Sequence, residues 1–376
     1  MKHFTLHIRL ALDCNAQCTY CSSANNASGR IGIGEFKTAL NFIADAVFPK
    51  LGVGQDHQLA IEYLGGEMLL VPEREIRLFT EITRDRLGPL VRGLRQGVQS
   101  NLIGSERRVL ALHDLFGENI GTSWDNYSGQ RRTGGSASLY KAILSKSLRT
   151  LSGKRGFSPG RVIVVDSAIA EYLEREVRDA ISGGYDLVLR PVFKGGSADV
   201  SHLSPDELAM LFSKCHKIWS ENPQVRIEPF TSLFKRRLNR GRADEAGEDA
   251  ALESAGCPFQ HDCAFRSLSL GPDGSLNVCQ EMADASRYSL GNAILETFND
   301  HVWRLLARRS FRLAAECRNC QWLAECAGGC MNEAVEAHGD PFARTELCPA
   351  WKAVFMEIEN DILSGRAAEI ERVMAQ

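Results

Sequence analysis

From residue 4 to about residue 225, short β-rich runs alternate with amphipathic helical stretches, and no other feature narrows the possible folds as much. FTLHIRLAL, QLAIEYLG, LRQGVQS, NIGTSW, RVIVVD and DLVLRPV read as strands. The segments between them, such as EFKTALNFIADAVF and AIAEYLEREVRDAIS, carry apolar residues at helical spacing. Six strand–helix pairs predict a parallel α/β architecture. Glycine and polar residues cluster directly after the strands, which predicts a partial (β/α)6 barrel of TIM type over residues 1–225, with its site at the C-terminal ends of the strands.

After residue 225 the rhythm stops. Residues 226–256 include FKRRLNRGRADEAGEDAALESAG, a basic half followed by an acidic half. This stretch reads as a surface connector, or alternatively as a docking strip for a charged substrate. Residues 257–348 are short, Gly-punctuated and Cys-dense, and a helical segment within 349–376 closes the chain.

A net charge of -3 over 376 residues, with 24% charged and 44% apolar residues, has no polybasic or polyacidic extreme. No nucleic-acid partner is expected. MKHFTLHIRLALDC breaks its apolar character with His3, His7 and Arg9 and so lacks a signal-peptide core. There is no apolar run of about 18 residues, so no membrane span is expected and the cytosol is the expected compartment.

Cysteine is the outlier, with twelve, eleven of them clustered. In a reducing compartment such clusters read as metal ligands or redox groups, either zinc or iron–sulfur. DCNAQCTYCS places Cys14, Cys18 and Cys21 on one loop after the first strand, with no fourth Cys or His nearby. A structural zinc site takes four ligands. A cubane held by three thiolates leaves one iron open to bind a small molecule, whereas a fully ligated cluster only relays electrons.

CNAQCTYC, with Tyr20 before the last cysteine, resembles the CxxxCxxC motif of the radical S-adenosylmethionine (SAM) superfamily. The resemblance implies that SAM chelates the open iron and is cleaved to a 5'-deoxyadenosyl radical. YLGGEMLL resembles the superfamily's GGEP-type motif, with Met68 where proline is usual. Gly65, Gly66 and Glu67 are then expected SAM contacts, because glycine backbone can approach a ligand closely and Glu67 can accept from the SAM ammonium. QSNLI places Asn101 in the segment after the third strand. GTSWDN after the fourth adds Ser123, with Asp125 and Arg132 as further candidates.

Cys317-x2-Cys320-x5-Cys326-x3-Cys330, followed by Cys348 and preceded by Cys263 and Gly274-x4-Cys279, resembles the seven-cysteine pattern of the SPASM domain found on peptide- and protein-maturing radical SAM enzymes. Cys257 makes eight, enough for two fully ligated 4Fe-4S clusters. The resemblance implies one auxiliary cluster on Cys257, Cys263, Cys279 and Cys330 and a second on Cys317, Cys320, Cys326 and Cys348, three clusters in all with the SAM cluster. Two four-cysteine zinc sites are the alternative. Cys215 is left over and reads as a buried structural cysteine.

In the sulfatase-maturing branch an Asp follows the equivalent of Cys279 and accepts a proton; here that residue is Gln280, and a neutral amide cannot do this. Glu281 and Asp284 are the nearby carboxylates that can substitute.

The resemblance implies a maturase acting on a ribosomally made precursor peptide, installing a crosslink such as a cyclophane or thioether, with a flavodoxin- or ferredoxin-type electron donor. The alternatives are formylglycine formation on sulfatases and dehydrogenation of a small molecule. The first strand begins close to Met1, so no winged-helix leader-binding domain is expected ahead of it.

Overall fold

The computed structural model describes residues 2–23, 29–193, 201–240, 262–284 and 287–375. Cys257 and positions 241–256 of the connector lie outside the described residues.

The six expected strands are present: β1 (Lys2–Arg9), β2 (His57–Leu64), β3 (Gly93–Ser100), β4 (Ile120–Ser123), β5 (Gly160–Val165) and β6 (Leu187–Pro191). Each is parallel to the next. A seventh strand that periodicity did not reveal, β7 (Ile227–Glu228), pairs with β6. Two residues are too few to show alternation. The Cys-rich half contributes β8 (Ser267–Leu270), β9 (Ser275–Asn277), β10 (Gly291–Asn292) and β11 (Thr297–Phe298). β8 runs parallel to β1 on its free edge, and the other three continue antiparallel. The order β11-β10-β9-β8-β1-β2-β3-β4-β5-β6-β7 makes one eleven-stranded open sheet, so the barrel is partial.

Period-two alternation sorts the faces of this sheet. Phe4, Leu6 and Ile8 of β1 and Leu59, Ile61 and Tyr63 of β2 are buried. The Tyr63 hydroxyl donates to Thr83 Oγ1 on the helix Glu73–Leu87, which identifies that face as the helix-covered one. His7 and Arg9, and Arg190 of β6 by the same alternation, therefore belong to the opposite, inner face.

The helix Pro205–Glu221 starts with a capping box: Glu207 N–H donates to Ser204 Oγ, and Glu207 Oε2 accepts from Ser204 N–H. Its apolar stripe packs against the helix Cys348–Leu363, with the Phe212 and Trp351 rings 5.7 Å apart. The expected closing helical segment is two helices, because Gly365 takes a left-handed φ of 79° before the second, Ala367–Met374. No described helix is long and apolar enough to cross a membrane.

Candidate active site

The cysteine loop leaves β1 and is clamped from two sides. Gly66 N–H donates to Ala11 O at 2.9 Å and Glu67 N–H to Asp13 O at 2.7 Å; across the loop, Gln17 N–H reaches Arg132 O at 2.7 Å and Thr19 N–H reaches Gln130 O at 3.1 Å. The Gly-Gly pair permits the first clamp: a Cβ on Gly66 would sit 2.1 Å from Asp13 O, and one on Gly65, at φ 116°, 2.8 Å from Ala11 O. The Cβ side of these two glycines is taken up by the backbone of the cysteine loop and the side chain of Arg9.

Glu67 is 2% exposed and caps the turn Met68–Leu70. Its carboxylate accepts from Leu69 N–H and Ser100 Oγ–H through one oxygen and from Asn101 N–H through the other. Three donors of this chain thus fasten the loop after β2 to the loop after β3. Burial pushes the Glu67 carboxyl up, and those hydrogen bonds oppose the shift. Asn101 Nδ2 donates to Asn15 Oδ1 at 2.7 Å and lies 3.8 Å from Cys14 Sγ; Ala16 N–H also points at that sulfur, at 3.4 Å.

On the other side, Asp125 accepts from the N–H groups of Ser128, Gln130 and Arg131 and so shapes the turn carrying the second clamp. Ser123 Oγ accepts from Gln99 Nε2. Arg132 is exposed, with its guanidinium on Gly129 O, and its carbonyl belongs to the clamp. Sequence reasoning missed its neighbour. Arg131 is buried, donating to Tyr20 OH at 2.8 Å and Tyr140 OH at 2.6 Å. Its positive charge opposes the upward push of burial on Cys14 and Cys18.

The three thiols form one electrostatic group. Burial and then neighbouring Cys18 push Cys21 up to about 11. Together as bare thiolates they would repel one another. Among the described residues no three Cys, His, Asp or Glu side chains converge to hold a single metal ion, so the fit of these thiols is one of donor chemistry: a bound cluster would reverse that balance and hold them deprotonated.

In the Cys-rich half, Cys317, Cys320, Cys326 and Cys348 line one cavity beside Trp322, Trp351 and Phe355. Burial, then Cys348 and Cys317, push Cys326 up to about 12. Cys263 and Cys279 pack against the core beneath β1 and β8, and Cys330 precedes the helix Met331–His338. None of the described cysteines is in a disulfide. Between the two groups lies Arg309, 0% exposed, another residue that sequence reasoning missed. Its guanidinium donates to the carbonyls of Pro341, Ala343, Gly328 and Gly329, and Cys263, Cys330, Cys317 and Cys326 all act on its charge. No carboxylate pairs with it among the described residues. Such a cation calls for negative charge nearby, which thiolate-ligated clusters would supply.

Gln280, Glu281 and Asp284 lie on one helix, Gln280–Asp284, facing the barrel. Arg9 makes a bidentate pair with Asp284 at 2.6 and 2.8 Å and also donates to Gln280 O; Ser22, next to Cys21, donates to Asp284 Oδ2. Glu281 Oε1 accepts from Arg190 Nη2 at 2.8 Å and from the Gln280 amide at 2.9 Å. Both carboxylates are thus engaged by guanidiniums that rise from the barrel's inner face. Glu333, not singled out in the sequence, accepts from Thr345 Oγ1, and burial pushes its carboxyl up to about 7.

A cavity of about 720 Å³ opens between the ends of β5 and β6, the start of the helix Pro205–Glu221 and the segment carrying Glu333. Val192 lines it and also packs on the Ala16, Cys18 and Tyr20 group, so the cavity wall reaches the cysteine loop.

No protein-family model matches the sequence, and no curated protein matches it. Solved structures do. The anaerobic sulfatase-maturing enzyme anSMEcpe with bound AdoMet superposes at TM-score 0.76 and 18% identity, over 99% of this chain and 98% of that one. The same enzyme with AdoMet and the Cp18Cys peptide gives 0.75 and 18%, over 96% and 98%. SuiB of Streptococcus suis bound to the precursor peptide SuiA gives 0.59 and 14%, over 92% of this chain and 76% of that one. A parallel α/β sheet extended by a Cys-rich half, with three cysteines at the end of its first strand, is therefore the radical SAM/SPASM fold.

Proposed function

We propose that this chain is a radical SAM/SPASM maturase that modifies a ribosomally made precursor peptide, with a crosslink such as a cyclophane or thioether as product. The observation that carries the reading is the cysteine loop, which is clamped between the loops after β2 and β4 and whose sequence holds three cysteines and no fourth. Cys14, Cys18 and Cys21 would hold the cluster that binds SAM. Cys263, Cys279 and Cys330, with Cys257, would hold one auxiliary cluster, and Cys317, Cys320, Cys326 and Cys348 the other. When bound, SAM and its cluster would supply the one-electron chemistry that removes hydrogen from an unreactive carbon.

The chain's own residues bind, orient and shield. Gly65, Gly66 and Glu67 set the cysteine loop against the strand ends; Asn101, Ser123, Asp125 and Arg132 shape the walls on which SAM would rest. Gln280 keeps the position after Cys279 neutral, Asp284 and Glu281 position Arg9 and Arg190, and Glu333 is the cleft carboxyl suited to take a proton near neutral pH. Gln280 in place of the expected aspartate favours crosslinking over formylglycine formation. Electrons would come from a flavodoxin- or ferredoxin-type protein in the cytosol.

The test is anaerobic reconstitution followed by reductive SAM cleavage. Wild type should take up about twelve irons per chain and release 5'-deoxyadenosine, whereas the Cys14→Ala, Cys18→Ala, Cys21→Ala triple variant should release none while retaining about eight irons. Cleavage by the triple variant would refute the reading. Mass spectrometry of a candidate peptide then separates the products: loss of two hydrogens marks a crosslink, and formylglycine on a sulfatase peptide marks the alternative.

A further inference from the structure

The surface beside the four-cysteine cavity is locally basic, in a chain whose net charge is -3. Between residues 304 and 318 the sequence holds five arginines and a single acid, Glu316. Arg309 is the buried one; Arg304, Arg308, Arg312 and Arg318 are exposed, and so is Arg344. An open concavity of about 430 Å³ brings Arg312, Arg318 and Arg344 together. Arg312 lies over the Phe342 ring at 4.9 Å, which fixes its guanidinium at the rim. None of these three arginines is in an ion pair among the described residues. Of the two acids that line the concavity, Glu316 and Asp340, the second accepts from Phe342 N–H. Next to Arg312, Phe311 is 86% exposed.

This concavity and the cysteine cavity share a wall. Glu316 and Arg344 line both, with Cys317, Cys320, Cys326 and Cys348 on the inner side. Like charges held together raise a local positive potential, which draws an acidic partner even where the molecule as a whole is slightly negative. Arginines around an exposed aromatic ring have the composition of a protein interface: the ring supplies area to bury, and the guanidiniums meet carboxylates. A partner seated here lies one wall away from four thiols, a position that suits a carrier of electrons.

We infer that Arg312, Arg318 and Arg344, with Phe311, form a docking face for a small acidic electron-carrier protein. The carrier exchanges one electron with the centre held by Cys317, Cys320, Cys326 and Cys348; one partner is oxidised as the other is reduced, and no bond forms or breaks. This rests on the cluster ligation proposed above and adds the surface through which that centre meets its carrier.

The experiment uses the reconstituted full-length protein and two purified carriers, acidic flavodoxin and basic cytochrome c, with binding read by anaerobic titration calorimetry. Flavodoxin should bind at least tenfold more tightly at low salt, and its affinity should fall as salt rises. The Arg312→Glu, Arg318→Glu double variant should bind flavodoxin at least tenfold more weakly, while Arg107→Glu on the outer barrel helix Glu106–Phe116 should bind it as wild type does. SAM cleavage by the double variant should keep the wild-type rate with dithionite, a small reductant that needs no docking face, and should slow at least tenfold with limiting reduced flavodoxin. Equal binding of the two carriers by wild type would overturn the inference, and that result needs no variant to fold. Flavodoxin affinity untouched by the double reversal would overturn it too, as would a short single-stranded oligonucleotide binding as tightly as flavodoxin, the mark of a general polyanion surface. Iron analysis on the same preparation separates the two readings. Dithionite-driven cleavage without flavodoxin binding removes only the docking face; flavodoxin binding by a chain that takes up no iron removes the clusters and, with them, the electron-carrier assignment.

Discussion

A single methyl group at Gly66 would meet Asp13 O at 2.1 Å, and this atom is backbone that cannot swing aside. Gly66→Ala should therefore displace the cysteine loop, and iron analysis should show about four of twelve irons lost while the auxiliary sites stay filled. The sequence flagged this glycine as a ligand contact, but the crossing of the cysteine loop on its Cβ side joins segments more than fifty residues apart and leaves no local pattern. Arg131 and Arg309 were invisible for a related reason: their importance comes from what surrounds them, and nothing in QRRT or ARRS differs from an exposed basic run. Arg309→Met keeps the bulk and removes the buried charge. It should lower the reduction potential of the proposed auxiliary clusters, read by potentiometric titration, because a nearby cation favours the more negative, reduced state.

At the scale of elements, strand and helix types were legible wherever periodicity ran for several residues, and the six barrel strands appear where expected. β7, with two residues, and the interruption at Gly365 were not, since neither alters a pattern over the window that periodicity needs. The interface between the helices Pro205–Glu221 and Cys348–Leu363 also encloses His216, which is 1% exposed, with neither ring nitrogen hydrogen-bonded and Nε2 3.9 Å from Asp361 Oδ2. Burial lowers its pKa to about 4. Its folded-state value lies below the unfolded value of about 6.5, so the unfolded chain binds the proton first as pH falls. The histidine's effect on stability is therefore neutral above that value and becomes progressively destabilising down to about pH 4. His216→Leu should remove roughly 3 kcal/mol of this acid-dependent loss, measured as the difference between variant and wild-type urea midpoints at pH 7 and pH 4.5.

Across the whole molecule, Arg9 and Asp284 join the first strand to the Cys-rich half, with side chains 7% and 9% exposed. Breaking a buried pair from one side leaves the other charge uncompensated, at a cost of about 3–5 kcal/mol. Asp284→Asn should lower the denaturant midpoint accordingly, and because Ser22 also binds Asp284, it should loosen the cysteine loop and raise its rate of iron loss to a chelator. The cysteine spacing made both halves legible in the sequence, but not their joining, because the pairing of β1 with β8 links Thr5–Ile8 to Ser267–Leu270.

That pairing bears on synthesis. β1 is made before the other described strands of its sheet and is an interior strand of the finished sheet, and its second partner is made only after more than two hundred and fifty further residues have been added. Until then it offers an unpaired apolar edge, which is a template for pairing between nascent chains. A chain halted by a premature stop near residue 240 would keep every barrel strand and still expose that edge. It should accumulate as insoluble aggregate rather than as a free-standing barrel.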